Sequence, residues 1–116
     1  MPSPAAPVYE HRTYTALPGR FDALMARFRQ HTLKLFAKHG MQNVGYWVPL
    51  DATDGAGDKL IYILRHASRE AAAASWAAFR ADPDWQAVVK ASEADGKLVL
   101  KIETVYLAAT DYSPMS

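Results

Sequence analysis

A chain of 116 residues, half of them hydrophobic, suffices for one compact core and leaves no room for a second. The 13 Lys and Arg are balanced by 12 Asp and Glu, so the formal charge is only +1 and the basic excess that a phosphate backbone demands is missing; nucleic acid is not an expected partner. The absence of cysteine removes disulfides, thiolate nucleophiles and thiolate metal sites together, and suits a reducing compartment.

Residues 1–7 (MPSPAAP) are Pro- and Ala-rich, with neither the basic start nor the apolar run of a signal peptide, and are expected to form a flexible N-terminal arm ahead of a single domain over 8–116. No run approaches the roughly 18 apolar residues that span a bilayer, so no membrane partner and a cytoplasmic location are expected. Val8 to Thr15 is rich in aromatic and β-branched residues and stops at Leu17-Pro18-Gly19, which predicts a strand and a turn. From Phe21 the apolar positions Leu24, Met25, Phe28, Leu35 and Phe36 form a helical stripe of about five turns, stopped by Gly40. His39, near its end, suits a C-terminal cap, where the helix dipole favours positive charge.

Met41 to Leu50 and Lys59 to His66 both read as strands, and the polar, Gly-rich DATDGAGD between them makes an antiparallel hairpin with a long loop. Ser68 is a good N-cap for the Ala-rich helix that runs to Phe79. Asp82-Pro83 then restarts the helix, which ends at Asp95-Gly96. Leu98 to Leu107 is the last strand. The order β-α-β-β-α-β predicts an α+β, ferredoxin-like chain with a four-stranded antiparallel sheet and both helical segments on one face.

The other face of such a sheet should be polar in a monomer, but these strands are apolar on both sides. Val44, Tyr46, Val48 and Leu50 oppose Met41, Gly45 and Trp47; Leu60, Tyr62 and Leu64 oppose Ile61 and Ile63; Leu98, Leu100, Ile102 and Tyr106 oppose Val99, Val105 and Leu107. Two copies meeting sheet to sheet would close the open face, which predicts a homodimer.

Four motifs lie in order on these elements: Glu10-x-Arg12-x-Tyr14, Gly45-x-Trp47, Phe79-x-x-Asp82-Pro83-x-Trp85 and Tyr112-Ser113-Pro114. Together they resemble the NIPSNAP family over nearly all of Val8 to Pro114, with His11 standing where the family would carry an apolar residue. The resemblance implies a dimeric α+β barrel. Related barrels include cofactor-free monooxygenases, isomerases, cyclases and haem-degrading enzymes, as well as proteins of undetermined activity, the group that holds most NIPSNAP members.

Period-two alternation puts Glu10, Arg12 and Tyr14 on one face. If that face lines the barrel interior, they are the polar groups best placed to orient a ligand; otherwise Glu10 and Arg12 form a buried pair that satisfies itself. Trp47, Tyr46, Tyr62 and Tyr106 are candidates for an aromatic wall, or for ordinary core. Trp76 and Trp85 sit on helical stripes and read as structural. His66, at a strand end, is the histidine to consider as an acid or base alongside Glu10, against the alternative of a solvent-exposed strand end. The four histidines lack the spacing of a zinc site, and no phosphate loop or nucleophile elbow occurs, so neither metal nor cofactor is expected. The third strand, Lys59 to Leu64, lacks the basic-Gly-aromatic pattern of an RNA-recognition sheet. Three functions remain: a barrel binding a small apolar or aromatic metabolite, a cofactor-independent monooxygenase or isomerase, and a non-enzymatic structural or interaction protein.

Overall fold

The alternating segment Lys59–His66 forms β3 in the computed structural model, which describes residues 6–115; Leu60, Tyr62, Leu64 and His66 are buried while their odd-numbered neighbours are half-buried. Of the expected arm over 1–7, residues 1–5 lie outside the described residues. β1 (Val8–Ala16) pairs antiparallel with β3 on one side and with β4 (Val99–Leu107) on the other, and β2 (Gln42–Trp47) completes the sheet in the order β2-β3-β1-β4. This is the expected four-stranded antiparallel sheet of an α+β fold.

The first helix is broken into three pieces. α1 (Phe21–Arg27) passes through a π-helical turn (Phe28–Thr32) into α2 (Leu33–Lys38). The buried Thr32 hydroxyl donates to the Arg27 carbonyl at 3.2 Å across that turn. Such turns shift the side chains on either side out of the regular stripe and recur at functional sites. Gly40, at φ 79°, takes the left-handed conformation that ends the helix.

α3 (Arg69–Ala81) starts where the Ser68 hydroxyl accepts from the Ala71 amide, and α4 (Pro83–Ser92) starts where the Asp82 carboxylate accepts from the Asp84 amide with Pro83 in the first turn. The same Asp82 carboxylate receives Lys38 Nζ and His39 Nε2, each at 2.7 Å, so His39 ends α2 and also ties it to the α3–α4 junction. These partners hold the Asp82 carboxyl below its usual range.

The core lies between the helices and the even-numbered face of β1 and β3. Leu24, Phe28, Phe36, Met41, Tyr62, Leu64, Trp76, Phe79 and Leu98 fill it, each fully buried apolar side chain contributing about 1.5–3 kcal/mol.

Two bulges alter the expected strand faces. Between Asn43 and Gly45 one extra residue of β2 shifts the register against β3, so Asn43 and Tyr46 share the helix-facing side and the Tyr46 hydroxyl donates to Asn43 Oδ1 at 2.6 Å. Met41 consequently joins the core, away from Gly45 and Trp47. A second irregularity, where Thr15 pairs with Lys101 but Ala16 with Val99, moves Val99 to the helix side.

The opposite face carries Trp47, Ile61, Ile63, Val105 and Leu107 beside His11, Thr13, Lys101 and Glu103. It is mixed rather than uniformly apolar. Trp47 is 50% exposed there and its ring lies over Gly45, where a Cβ would fall 2.6 Å from Cη2; this explains the pairing of glycine and tryptophan in Gly45-x-Trp47.

Candidate functional site

Alternation along β1 aims Glu10, Arg12 and Tyr14 under the helices, where β3 adds Tyr62 and His66, and α3 adds Trp76. Glu10 is 1% exposed, and its oxygens take three donors: Trp76 Nε1 at 2.7 Å and His66 Nε2 at 2.8 Å on Oε1, and Arg12 Nη1 at 2.9 Å on Oε2. Burial pushes the Glu10 carboxyl up, but the hydrogen bonds from His66, Trp76 and Arg12 outweigh it and hold the pKa below the ordinary value. Glu10 is therefore ionised near neutrality with its lone pairs engaged. Its carboxylate holds Arg12 in place through the bond to Nη1.

Arg12 spreads its other donors over two phenols, Nε to Tyr62 at 2.8 Å and Nη2 to Tyr14 at 2.9 Å, and its guanidinium lies 4.3 Å from the Trp76 ring centroid. Burial works against its charge, yet the phenols and Glu10 raise its pKa above the usual value. The Tyr62 hydroxyl donates to Tyr14 at 3.1 Å; burial, then Tyr14, pushes its pKa well above 10, so it stays protonated. The chain of bonds runs from a buried carboxylate through a guanidinium to a pair of phenols.

Tyr14 is also one wall of a cavity of about 190 Å³ between the sheet and the helices, lined by Phe28, Phe36, Phe79 and Trp85, with Val99 and Ile102 from β4 and the polar Arg27, Thr32 and Glu93. The break at Asp82-Pro83 lets Phe79 and Trp85 face each other at 4.5 Å. β4 is an edge strand that the helices leave partly uncovered, and Ile102 is 48% exposed there.

Five of the residues singled out from sequence, Glu10, Arg12, Tyr14, Tyr62 and His66, thus meet in one network. His66 is 2% exposed, so the alternative of a solvent-exposed strand end does not hold. Trp47 does not join them: it pairs with Ile61 on the opposite face, whereas Tyr46 and Tyr62 stack at 5.0 Å under the helices. Glu10, Arg12 and Tyr14 likewise border the space between sheet and helices, not the open sheet face. Sequence reading missed Arg27 and Thr32, and took Trp76 and Trp85 as structural alone. The signal for Arg27 was a cation three residues after buried Leu24 and next to buried Phe28, on the apolar stripe. Among the described residues no group of three His, Asp or Glu side chains is placed to hold a metal ion, and no helix is long and apolar enough to cross a membrane.

Comparison with solved structures places this architecture among known folds. A NIPSNAP family protein from Agrobacterium tumefaciens superposes with a TM-score of 0.80 at 23% identity, over 95% of this chain and 99% of its own. An uncharacterised NIPSNAP-like domain protein from Burkholderia xenovorans gives 0.78 at 18%, over 95% and 90%. A protein from Chloroflexus aurantiacus, provisionally assigned as an antibiotic biosynthesis monooxygenase, gives 0.57 at 20%, over 96% and 100%. No curated protein matches the sequence significantly. The NIPSNAP family model matches residues 9–114, nearly the whole length, and the chain belongs to the NIPSNAP family.

Proposed function

We propose that this NIPSNAP protein binds a small, flat apolar or aromatic metabolite in the cavity between sheet and helices. The supporting observation is the wall: Tyr14, Phe28, Phe36, Phe79 and Trp85 surround about 190 Å³. An apolar cavity of about 150 Å³ admits benzene, so the space suits one ring with a small substituent. The Arg12-held phenol of Tyr14 supplies an oriented polar contact at one side. Ile102→Trp, at the half-exposed edge of the wall, is expected to fill the space while the circular dichroism spectrum is retained. Native mass spectrometry of gently purified protein tests the reading. An added small-molecule mass on the parent that disappears in Ile102→Trp supports it, and equal loading of both refutes it.

A second reading, a cofactor-independent monooxygenase or isomerase, draws on the Arg12–Tyr14–Tyr62 cluster, which would hold an oxyanion formed on the ligand, and on the fold shared with the Chloroflexus protein. Turnover of a bound ligand would separate it from binding alone.

The apolar residues of the open face, Trp47, Ile61, Ile63, Val105 and Leu107, support a homodimer in which sheet faces sheet, each chain being one domain over 8–116. The same native spectrum tests it, since a monomer mass at micromolar protein would refute it. We further propose a cytoplasmic location, which cell fractionation checks.

A further inference from the structure

Arg27 is the feature of the cavity that packing does not explain. It is 6% exposed, on the buried side of α1 immediately before the π-helical turn, and a buried charge is costly unless fully paired. Its pairing is partial. Nη1 donates to Glu93 Oε2 at 3.0 Å and to the Ser92 hydroxyl at 3.3 Å, and the guanidinium carbon lies 5.3 Å from the Trp85 ring centroid. Nε is buried and donates to no acceptor among the described residues. A buried donor left unmade costs more than a surface ion pair returns, so the site retains a capacity for hydrogen bonding that the protein itself does not use.

The two charged residues of the cavity wall are unequal partners. Glu93 follows the last residue of α4, and its side chain is 28% exposed, so its carboxylate can turn to water once another anion takes its place on Arg27. Arg27 is held more firmly: it is nearly fully buried, bonded to Ser92 at the end of α4 and packed against the Trp85 ring. What stays in the wall is therefore a guanidinium whose buried Nε has no acceptor among the described residues, held against one carboxylate that is free to exchange. Its planar fork matches a carboxylate better than it matches a single hydroxyl or carbonyl oxygen. Apart from Thr32 and the Tyr14 phenol, the remaining lining is aromatic and aliphatic.

We propose that the cavity takes a single-ring aromatic carboxylate, whose ring lies among Phe28, Phe36, Phe79 and Trp85 and whose carboxylate binds Arg27 in exchange with Glu93. The assignment rests on the binding reading given above and narrows it to an anionic ligand class. Thr32, whose hydroxyl donates to the Arg27 carbonyl, holds the π-helical turn that sets Arg27 in the wall and acts as a positioning residue.

The test uses two probes of equal ring size, sodium benzoate and benzyl alcohol, titrated calorimetrically into the full chain. The parent is expected to bind benzoate about tenfold more tightly than benzyl alcohol, the range of one charge-assisted hydrogen-bond pair. Arg27→Gln is expected to abolish that preference while leaving benzyl alcohol within about threefold. Glu93→Gln, with the fold checked by its circular dichroism spectrum, is expected to tighten benzoate by about threefold and leave benzyl alcohol unchanged, because the competing carboxylate is gone. Equal binding of the two probes by the parent, or benzoate unchanged or weakened in Glu93→Gln, overturns the carboxylate assignment while leaving the cavity as a binding site. Failure of both probes to bind the parent overturns the cavity reading and this assignment with it.

Discussion

Glu10→Gln isolates the electrostatic part of the buried network, because the substitution keeps the shape of the side chain and removes its charge. In the parent both carboxylate oxygens accept: Oε1 from His66 and Trp76, Oε2 from Arg12. An amide has one acceptor oxygen and one NH2, so in either orientation an N–H meets an N–H and a buried donor goes unpaired. Removing one member of a buried ion pair costs about 3–5 kcal/mol. Arg12 keeps its bonds to Tyr62, Tyr14 and Thr104, and its side chain is 13% exposed, which brings the expectation to about 2–3 kcal/mol. For a chain of this length that lowers the thermal midpoint by about 8–15 °C. The assay is thermal denaturation followed by far-ultraviolet circular dichroism near neutral pH, at one fixed protomer concentration because association would shift the midpoint. Arg12→Met alone and in combination completes a cycle, and the double variant should be less destabilised than the sum by about 1 kcal/mol. A midpoint for Glu10→Gln within about 2 °C of the parent would refute the network as a source of stability.

Three further outcomes follow from the same structure. Glu10 and Asp82 both titrate below their ordinary values of 4.5 and 3.8 in the folded chain, so as pH falls the unfolded state takes up protons first; their stabilisation is full above the ordinary carboxylate range and is lost as pH falls through the folded values. Urea midpoints measured from about pH 5 down to 2 should fall more gently in Asp82→Asn than in the parent, and parallel slopes would contradict the Lys38–His39–Asp82 tie. Tyr62 behaves in the opposite sense: burial raises its pKa above 10, so its contribution is complete below that value and is lost as pH rises and the unfolded chain releases the phenolic proton. A spectrophotometric titration should accordingly leave Tyr62 and Tyr46 unionised until the fold is lost, and full reversible ionisation of all six tyrosines in the folded protein would count against their burial. Gly45→Ala places a methyl group 2.6 Å from the resting Trp47 ring, which must swing away over a face where it is 50% exposed. Tryptophan emission should change while the thermal midpoint moves little, and unaltered emission would show that the ring does not rest on Gly45.

The parts of the fold legible in the sequence are those where one residue type repeats with one period. β1 and β3 pair without a bulge, so Glu10, Arg12 and Tyr14 could be placed on one face without coordinates; in the register Arg12 faces Tyr62, and His66 faces Val8 on the same side of the sheet. β2 and β4 could not be read this way, because a bulge reverses parity: Leu100 is an apolar residue in an apolar run, and at Val44 only the neighbouring Gly45 marks the bulge. Trp47 and Tyr62, both candidates for one aromatic wall, lie on opposite faces. The cavity was illegible for a different reason. Phe28, Phe36, Phe79 and Trp85 read equally well as solid core, and whether four rings close on one another or leave about 190 Å³ between them depends on the direction of α4. Asp82-Pro83 announced only that a helix restarts. Its direction is fixed by Lys38 and His39, which lie 44 and 43 residues earlier and meet the Asp82 carboxylate at the end of α2. One carboxylate thus caps α4 locally and anchors it at long range, and loosening that anchor should alter the cavity before it unfolds the chain. Asp82→Asn keeps the helix-capping oxygen but weakens the charged tie, so it should reduce binding in the cavity by more than its loss of stability alone would suggest.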